Sequence, residues 1–290
     1  MIYYLPAVHS TREGWETLAK LAKATQALFS DELQLNMSRL DFFDANMAAP
    51  LGAILSSVAD RFNTVRIVDI PRPVETILRK NLFLTHYWYK SLEDNHNTTM
   101  PFRRLRLSDE GEFEEYIHWQ LTGRGIPRMS DAASRIFKKK VFEVYQNAVF
   151  HSESSLGVFV CGQFFPQQNR LDFTVADAGI GIRENVRRYF NNPRINSLPA
   201  LKWALEPNHT TKSGPYPGGL GLEFLRKFAR LNDGKIQIAS RYAFYELSRG
   251  TETFANMTVD FPGTAVTIEI NTADESTYIL ESERKSDSPN

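Results

Sequence analysis

Glu143, Asn147 and His151 recur every four residues, and each step of four turns a helix by only about 40°, so the three side chains can share one polar line. A carboxylate beside an amide oxygen suits a hard cation such as Mg²⁺, held directly or through water next to bound phosphates. Glu143 could also orient or deprotonate an attacking water. An ordinary polar helix face fits the same residues, so the line needs support from elsewhere in the chain. Support comes from Asp177-Ala178-Gly179-Ile180-Gly181-Ile182, which follows a strand-like 171–175. A carboxylate at a strand end can accept from an exocyclic amine, as adenine offers, and alternating glycines let a flat ligand come close. Farther on, Thr210-Thr211-Lys212 and Gly214 precede Gly218-Gly219-Leu220-Gly221-Leu222, which opens an apolar helix. Backbone amides of such a loop and helix start can bind phosphate oxygens, and Lys212 could reach a phosphate from the loop. The pattern is neither a GxxxxGK[ST] loop nor a dinucleotide fingerprint, because no strand directly precedes the glycines.

The elements that must position these groups can be read from periodicity. Residues 131–151 form a long helix, capped by Ser130 or Asp131, with apolar residues spread broadly around its polar line. Strands are expected at 156–165 and 170–176 around the turn 166–169, then helices at 183–190, 197–205 and 222–231. Strands return at 235–240, 253–260 and 264–271. Ahead of this block, 102–107 reads as a strand and 112–121 as a helix. The first part of the chain alternates too: helix 15–29, strand 33–40, helix 46–62 with Pro50 in its first turn, strand 64–70 and helix 73–84. The polar stretch 94–101 marks a boundary. The expected organisation is therefore α/β, with a small domain at 1–97, a larger one at 98–280 and a mobile charged tail at 281–290.

Composition limits the function classes. The chain has 290 residues, 42% hydrophobic, with 34 Lys plus Arg balanced by 34 Asp plus Glu, and neither domain carries the basic excess of a nonspecific nucleic-acid binder. No apolar run is long enough to span a bilayer and the first residues make a poor signal peptide, so a cytoplasmic location is expected. Cys161, the single cysteine, lies in an apolar run as a buried thiol would. His9, His86, His96, His118 and His209 lack metal-ligand spacing, Lys138 to Lys140 read as a solvated helix side, and the tryptophans, Trp203 among them, read as packing residues.

Taken in order, FEVYQNAVFHS (142–152), VADAGIGI (175–182), TTKSGPYPGGLGLEF (210–224) and GTAVTI (263–268) resemble the N box, first glycine box, lid with second glycine box, and final strand of the GHKL ATPases. That group includes gyrase, heat-shock chaperones, histidine kinases and mismatch-repair proteins, and the resemblance spans 102–271. It implies a Bergerat two-layer α/β sandwich that binds ATP with Mg²⁺ between its helices and sheet. By motif, Asn147 would hold Mg²⁺ and Glu143 would polarise water or assist the metal. Asp177 would bind the adenine amino group, with Thr264 sharing a water, while Gly179 and Gly181 would shape the base pocket. Gly219 and Gly221 would contact phosphates, within a nucleotide-binding loop that also contains Gly218 and Leu220. His151 would lie near the nucleotide, and Lys212 could reach it from the lid. Pro217 stands where the family's loop has its first glycine.

The front segment is similar to a STAS-like module, the fold of anti-sigma-factor antagonists. Such modules usually carry Ser or Thr after the Asp that precedes the helix, whereas here Asp44 is followed by Ala45. The resemblance therefore implies a docking or sensing module without the usual phosphoacceptor. Together the two resemblances imply a Mg²⁺-dependent ATPase or nucleotide switch that regulates a protein partner. A kinase acting in trans and a scaffold holding ATP without hydrolysis stay open, as does the oligomeric state. Autophosphorylation is disfavoured because the short polar segment 94–101 and the strand after it leave no room for a two-helix phosphoacceptor domain immediately before the ATPase-like part.

Overall fold

The computed structural model describes residues 1–211 and 220–286. The chain is α/β. Its first third forms β1 (Ile2–Tyr4), α1 (Arg12–Ala24), β2 (Glu32–Asn36), α2 (Ala48–Asp60), β3 (Thr64–Val68) and α3 (Arg72–Lys80). The three strands pair in parallel in the order β1-β2-β3. Thr11 caps α1 by accepting from the Gly14 amide at 3.4 Å, which starts the helix earlier than the apolar spacing indicates. Pro50 falls in the first turn of α2, where its missing N–H costs nothing.

The remainder comprises β4 (Thr99–Leu105), α4 (Glu110–Gln120), β5 (Arg128–Met129), α5 (Asp131–His151), β6 (Val158–Phe165), β7 (Arg170–Asp177), α6 (Gly181–Tyr189) and α7 (Ser197–Ala204). It continues through α8 (Leu220–Leu231), β8 (Lys235–Ser248), β9 (Thr251–Asn271), β10 (Thr277–Tyr278) and α9 (Glu281–Ser286). Five strands make an antiparallel sheet in the order β4-β6-β7-β9-β8. The strands expected at 253–260 and 264–271 are one continuous β9, paired with an extended β8 on both sides of an irregular stretch at 257–263. The register jumps between Ser240↔Thr264 and Arg241↔Phe261, leaving Pro262 and Gly263 as a bulge on β9. Proline tolerates a bulge, where no ladder donor is required. Of the tail expected to be mobile, 281–286 is helix α9, and 287–290 lie outside the described residues.

Strand alternation divides the core. Val158 and Val160 of β6, with Leu171, Phe173 and Val175 of β7, pack under α4, α5, α7 and α8. The intervening Phe159, Cys161 and Ala176 face the other way and join α1, α2 and the first-third strands in one hydrophobic cluster. The expected boundary near Asn97 thus falls between segments that share a core. Polar contacts reinforce the seam. Trp15 Nε1 donates to Gln237 Oε1 at 3.2 Å, Thr258 donates to Glu16 through N at 2.7 Å and Oγ1 at 2.6 Å, and Asn46 Nδ2 donates to Thr174 Oγ1 at 2.9 Å. Cys161 is buried there, accepting from Asn81 Nδ2 at 3.4 Å, and burial raises its thiol pKa. Among the described residues no helix is long and apolar enough to cross a membrane.

Candidate functional site

At the end of β7, between α5 on one side and α6–α7 on the other, a cavity opens on the helical face of the five-stranded sheet. Helix α5 begins where Ser130 accepts from the Ala133 amide at 3.1 Å, and it carries Asn147 and His151 to the cavity wall. Asn147 is exposed, and its side chain makes no hydrogen bond to any described residue. Val144 and Ala148 of the same helix, Val175 of β7, Ile182 of α6, Leu222 of α8 and Val266 of β9 form the apolar lining.

Asp177 sits at the inner end. Its carboxylate is 3% exposed, and both of its protein hydrogen bonds fall on Oδ1, from the Gly179 amide at 2.8 Å and the Thr264 amide at 3.3 Å. Oδ2 remains available as an acceptor. Burial raises the carboxyl pKa to about 7, and the two amides partly offset that rise. The turn that follows is fixed by close backbone approach. A Cβ on Gly179 would lie 1.9 Å from the Ser152 carbonyl oxygen, which itself accepts from the Ile180 amide at 2.8 Å. Gly263, in the left-handed region at φ +80°, packs its α-carbon against Asp177, where a Cβ would lie 2.2 Å from the backbone oxygen. Both glycines are therefore required by space, and Gly263 by conformation as well.

Of the residues singled out from sequence, Asn147, His151, Asp177, Gly181 and Thr264 are brought together around this cavity. Gly179 lies behind the turn, against Ser152. Glu143 does not line the cavity: its Oε1 accepts from Lys140 Nζ at 2.7 Å, and Gly221 is packed on it so tightly that a Cβ there would meet Glu143 Oε2 at 2.2 Å. Gly221 thus brings the start of α8 against the polar line of α5. Lys212, Pro217, Gly218 and Gly219 lie outside the described residues, and Leu220 is described only as the first helical position of α8.

Several residues that line or brace the cavity carried no usable sequence signal. Asn185 donates through Nδ2 to the His151 carbonyl at 2.8 Å and the Gly181 carbonyl at 3.1 Å, tying the end of α5 to the glycine turn. Ser240 Oγ joins Ile182 N at 3.0 Å, Gly263 O at 3.1 Å and Thr264 Oγ1 at 2.9 Å, pinning the bulge to α6. Trp203 and His209 also line the cavity, with rings stacked 4.7 Å apart and His209 Nδ1 2.9 Å from the Trp203 carbonyl. Trp203 is therefore both a packing residue and a wall residue. A polar residue on a helix or strand, or an aromatic on a helix, has no period that marks it as lining or bracing a site, so only the assembled fold reveals these four.

The arrangement can hold a flat, partly apolar ligand that donates a hydrogen bond at its inner end and presents oxygens toward Asn147. Among the described residues no group of three His, Cys, Asp or Glu side chains could hold a metal ion, so a cation here would draw ligands from the bound molecule as well. A scan of protein-family models and a search of curated proteins return no match to the chain.

Proposed function

We propose that the chain is an ATP-binding protein of the GHKL type, a Mg²⁺-dependent nucleotide switch that regulates a protein partner. The observation that carries the reading is Asp177: a buried carboxylate, oriented through Oδ1 by two backbone amides, with Oδ2 left for a ligand donor at the end of an apolar cavity. Adenine fits this end because its exocyclic amine can donate to Oδ2. The ordered sequence motifs support the same assignment, and the layer of α4, α5, α7 and α8 on the cavity face of the sheet is compatible with a Bergerat sandwich, the other face being covered by α1 and α2 of the first third.

The residues fit Mg²⁺ in part. Asn147 supplies a free, hard oxygen donor on the cavity wall, and phosphate oxygens would complete the shell. Bound Mg²⁺ would neutralise phosphate charge. In this reading Asp177 orients the base, Thr264 fixes the Asp177 carboxylate, the apolar wall excludes water from the base, and Gly221 lets α8 approach α5. Glu143 acts on water only after leaving Lys140, so turnover is slow until a partner or the nucleotide rearranges that pair. The same Lys140–Glu143 contact favours the second reading, a scaffold that holds ATP without hydrolysis. The first third of the chain, read as STAS-like, is the docking module.

The test incubates purified protein with Mg²⁺ and γ-labelled ATP and follows free phosphate and protein-bound label together, with nucleotide binding measured in parallel. Binding that is lost in Asp177→Asn, with phosphate release lost in Glu143→Ala, is the expected result. Label transferred to protein makes the chain a kinase, and binding without either signal favours the scaffold. Absence of adenine-nucleotide binding overturns the proposal.

A further inference from the structure

The opposite face of the sheet holds a second buried aspartate that the nucleotide reading does not use. Asp172 of β7 is fully buried, and neither carboxylate oxygen has a hydrogen-bond partner. Its direct cross-strand partners are Gln163 on β6 and Glu269 on β9, so two carboxylates stand side by side beneath the N-terminal layer. Lys235 of β8 pairs with Glu269 at 2.7 Å, and Arg170 Nη2 pairs with Asp44 of the N-terminal layer at 2.8 Å. Arg170 Nε lies 3.5 Å from Asp172 Oδ2 without forming a hydrogen bond. His9 Nδ1, at the rim, is 3.8 Å from Asp44 Oδ2.

The charges around Asp172 decide its state. Asp44 and Glu269 already balance Arg170 and Lys235, so an ionised Asp172 adds a net buried charge whose nearest cation, Arg170 at 3.5 Å, is already shared with Asp44, whereas a protonated one leaves the cluster neutral. Burial first, and Glu269 second, push the Asp172 carboxyl up from its ordinary range, against the smaller pull of Arg170 and Lys235. The cluster also sits on the seam itself. Asp44 accepts from the Ser10 amide at 2.7 Å, and Ser10 O accepts from Gln237 Nε2 at 2.9 Å and from Lys235 Nζ at 3.4 Å, so strain at Asp172 falls on the contacts that seat the N-terminal layer.

From this geometry we propose that Asp172 is a proton-held latch: protonated, it lets the N-terminal helices seat on the sheet, and losing its proton loosens that seat. The sign follows from linkage. A carboxyl raised in the folded state contributes stability that is complete below its unfolded value and is lost as pH rises through the folded one. Alkaline conditions therefore open the seam and acid conditions close it, until other carboxylates titrate.

The experiment uses the full chain without nucleotide, so it stands apart from what the cavity binds. Thermal unfolding is followed from about pH 6 to about pH 9 for wild type and Asp172→Asn, the neutral isostere of the protonated acid. Wild type is expected to lose roughly 5 °C more than the variant over that range. In parallel, infrared spectra of Asp177→Asn, which removes the other carboxyl placed near neutrality, follow the carbonyl stretch of protonated Asp172, which should persist at neutral pH and fade on alkalinisation. Absence of that band at neutral pH, or equal pH dependence in both proteins, overturns the proposal. Because the infrared measurement keeps Asp172 in place, the proposal stays falsifiable even if Asp172→Asn does not fold.

Discussion

Strand β7 carries two buried aspartates five positions apart, on opposite faces of one sheet, and they meet opposite treatment. Asp177 is given two backbone donors on one oxygen and a cavity on the other. Asp172 is given no donor at all and is covered by the N-terminal layer. The residue type is the same and the strand is the same, so the difference lies in what the neighbouring backbone offers. At the end of β7 the chain leaves the ladder, which frees the amides of Gly179 and Thr264 to point at a side chain. In the middle of β7 every amide is engaged in pairing, so a carboxylate there finds only other side chains. A ligand-ready carboxylate is thus a property of strand ends.

The comparison can be broken at either face. The largest effect is expected at the seam: Trp15→Ala removes a fully buried indole and its bond to Gln237, and should cost about 3–5 kcal/mol in urea unfolding. A loss below about 1 kcal/mol would mean that the N-terminal layer contributes little to holding the sheet. At the cavity face, Gly263→Ala forces a methyl group against the Asp177 backbone at φ +80°, with an expected loss of about 2–3 kcal/mol and a distorted carboxylate. Circular dichroism melts, combined with ATP titration, read both effects.

Asp177→Asn puts an amide where an acceptor is needed. ATP affinity by calorimetry should weaken roughly 30-fold or more, about 2 kcal/mol, with little change in melting temperature. The wild-type site should also be pH-sensitive. With the Asp177 carboxyl near 7, ATP affinity is full above about pH 7 and declines by up to tenfold per unit below it, because the protonated acid accepts poorly. Apo stability has the opposite slope: the Asp177 contribution is complete below about pH 4 and is lost as pH rises through about 7. Affinity that stays flat across neutrality would detach Asp177 from the ligand. The smallest effect is expected for Lys140→Ala, under about 1 kcal/mol in stability because the pair is partly solvated. The same variant should raise phosphate release severalfold by freeing Glu143, and unchanged release would separate Glu143 from turnover.

Much of the cavity face was legible in the sequence because local rules govern it. A helix period of 3.6 places Asn147 and His151 on one wall, and a strand followed by DxGxG sets a carboxylate at a strand end. Glu143 shows where that logic stops: the period sets a direction, while Lys140 and Gly221 decide what the carboxylate touches. The seam was illegible for a related reason. Ser10 and Asp44 lie in loops and Asn46 in a short 3-10 turn, and their burial follows from long-range docking on β7 and β8 that no local pattern encodes. The continuous β9 was hidden because Pro262 and Gly263 read as a break, although a bulge absorbs them without ending the strand.

Cys161 gives the seam a further use. As the only thiol in the chain, buried beneath α2 and bonded by Asn81, it is inert to alkylating reagents while the N-terminal layer is seated. Its labelling rate in the unmodified protein is then a clock for how often that layer lifts, readable by mass spectrometry with no engineered probe.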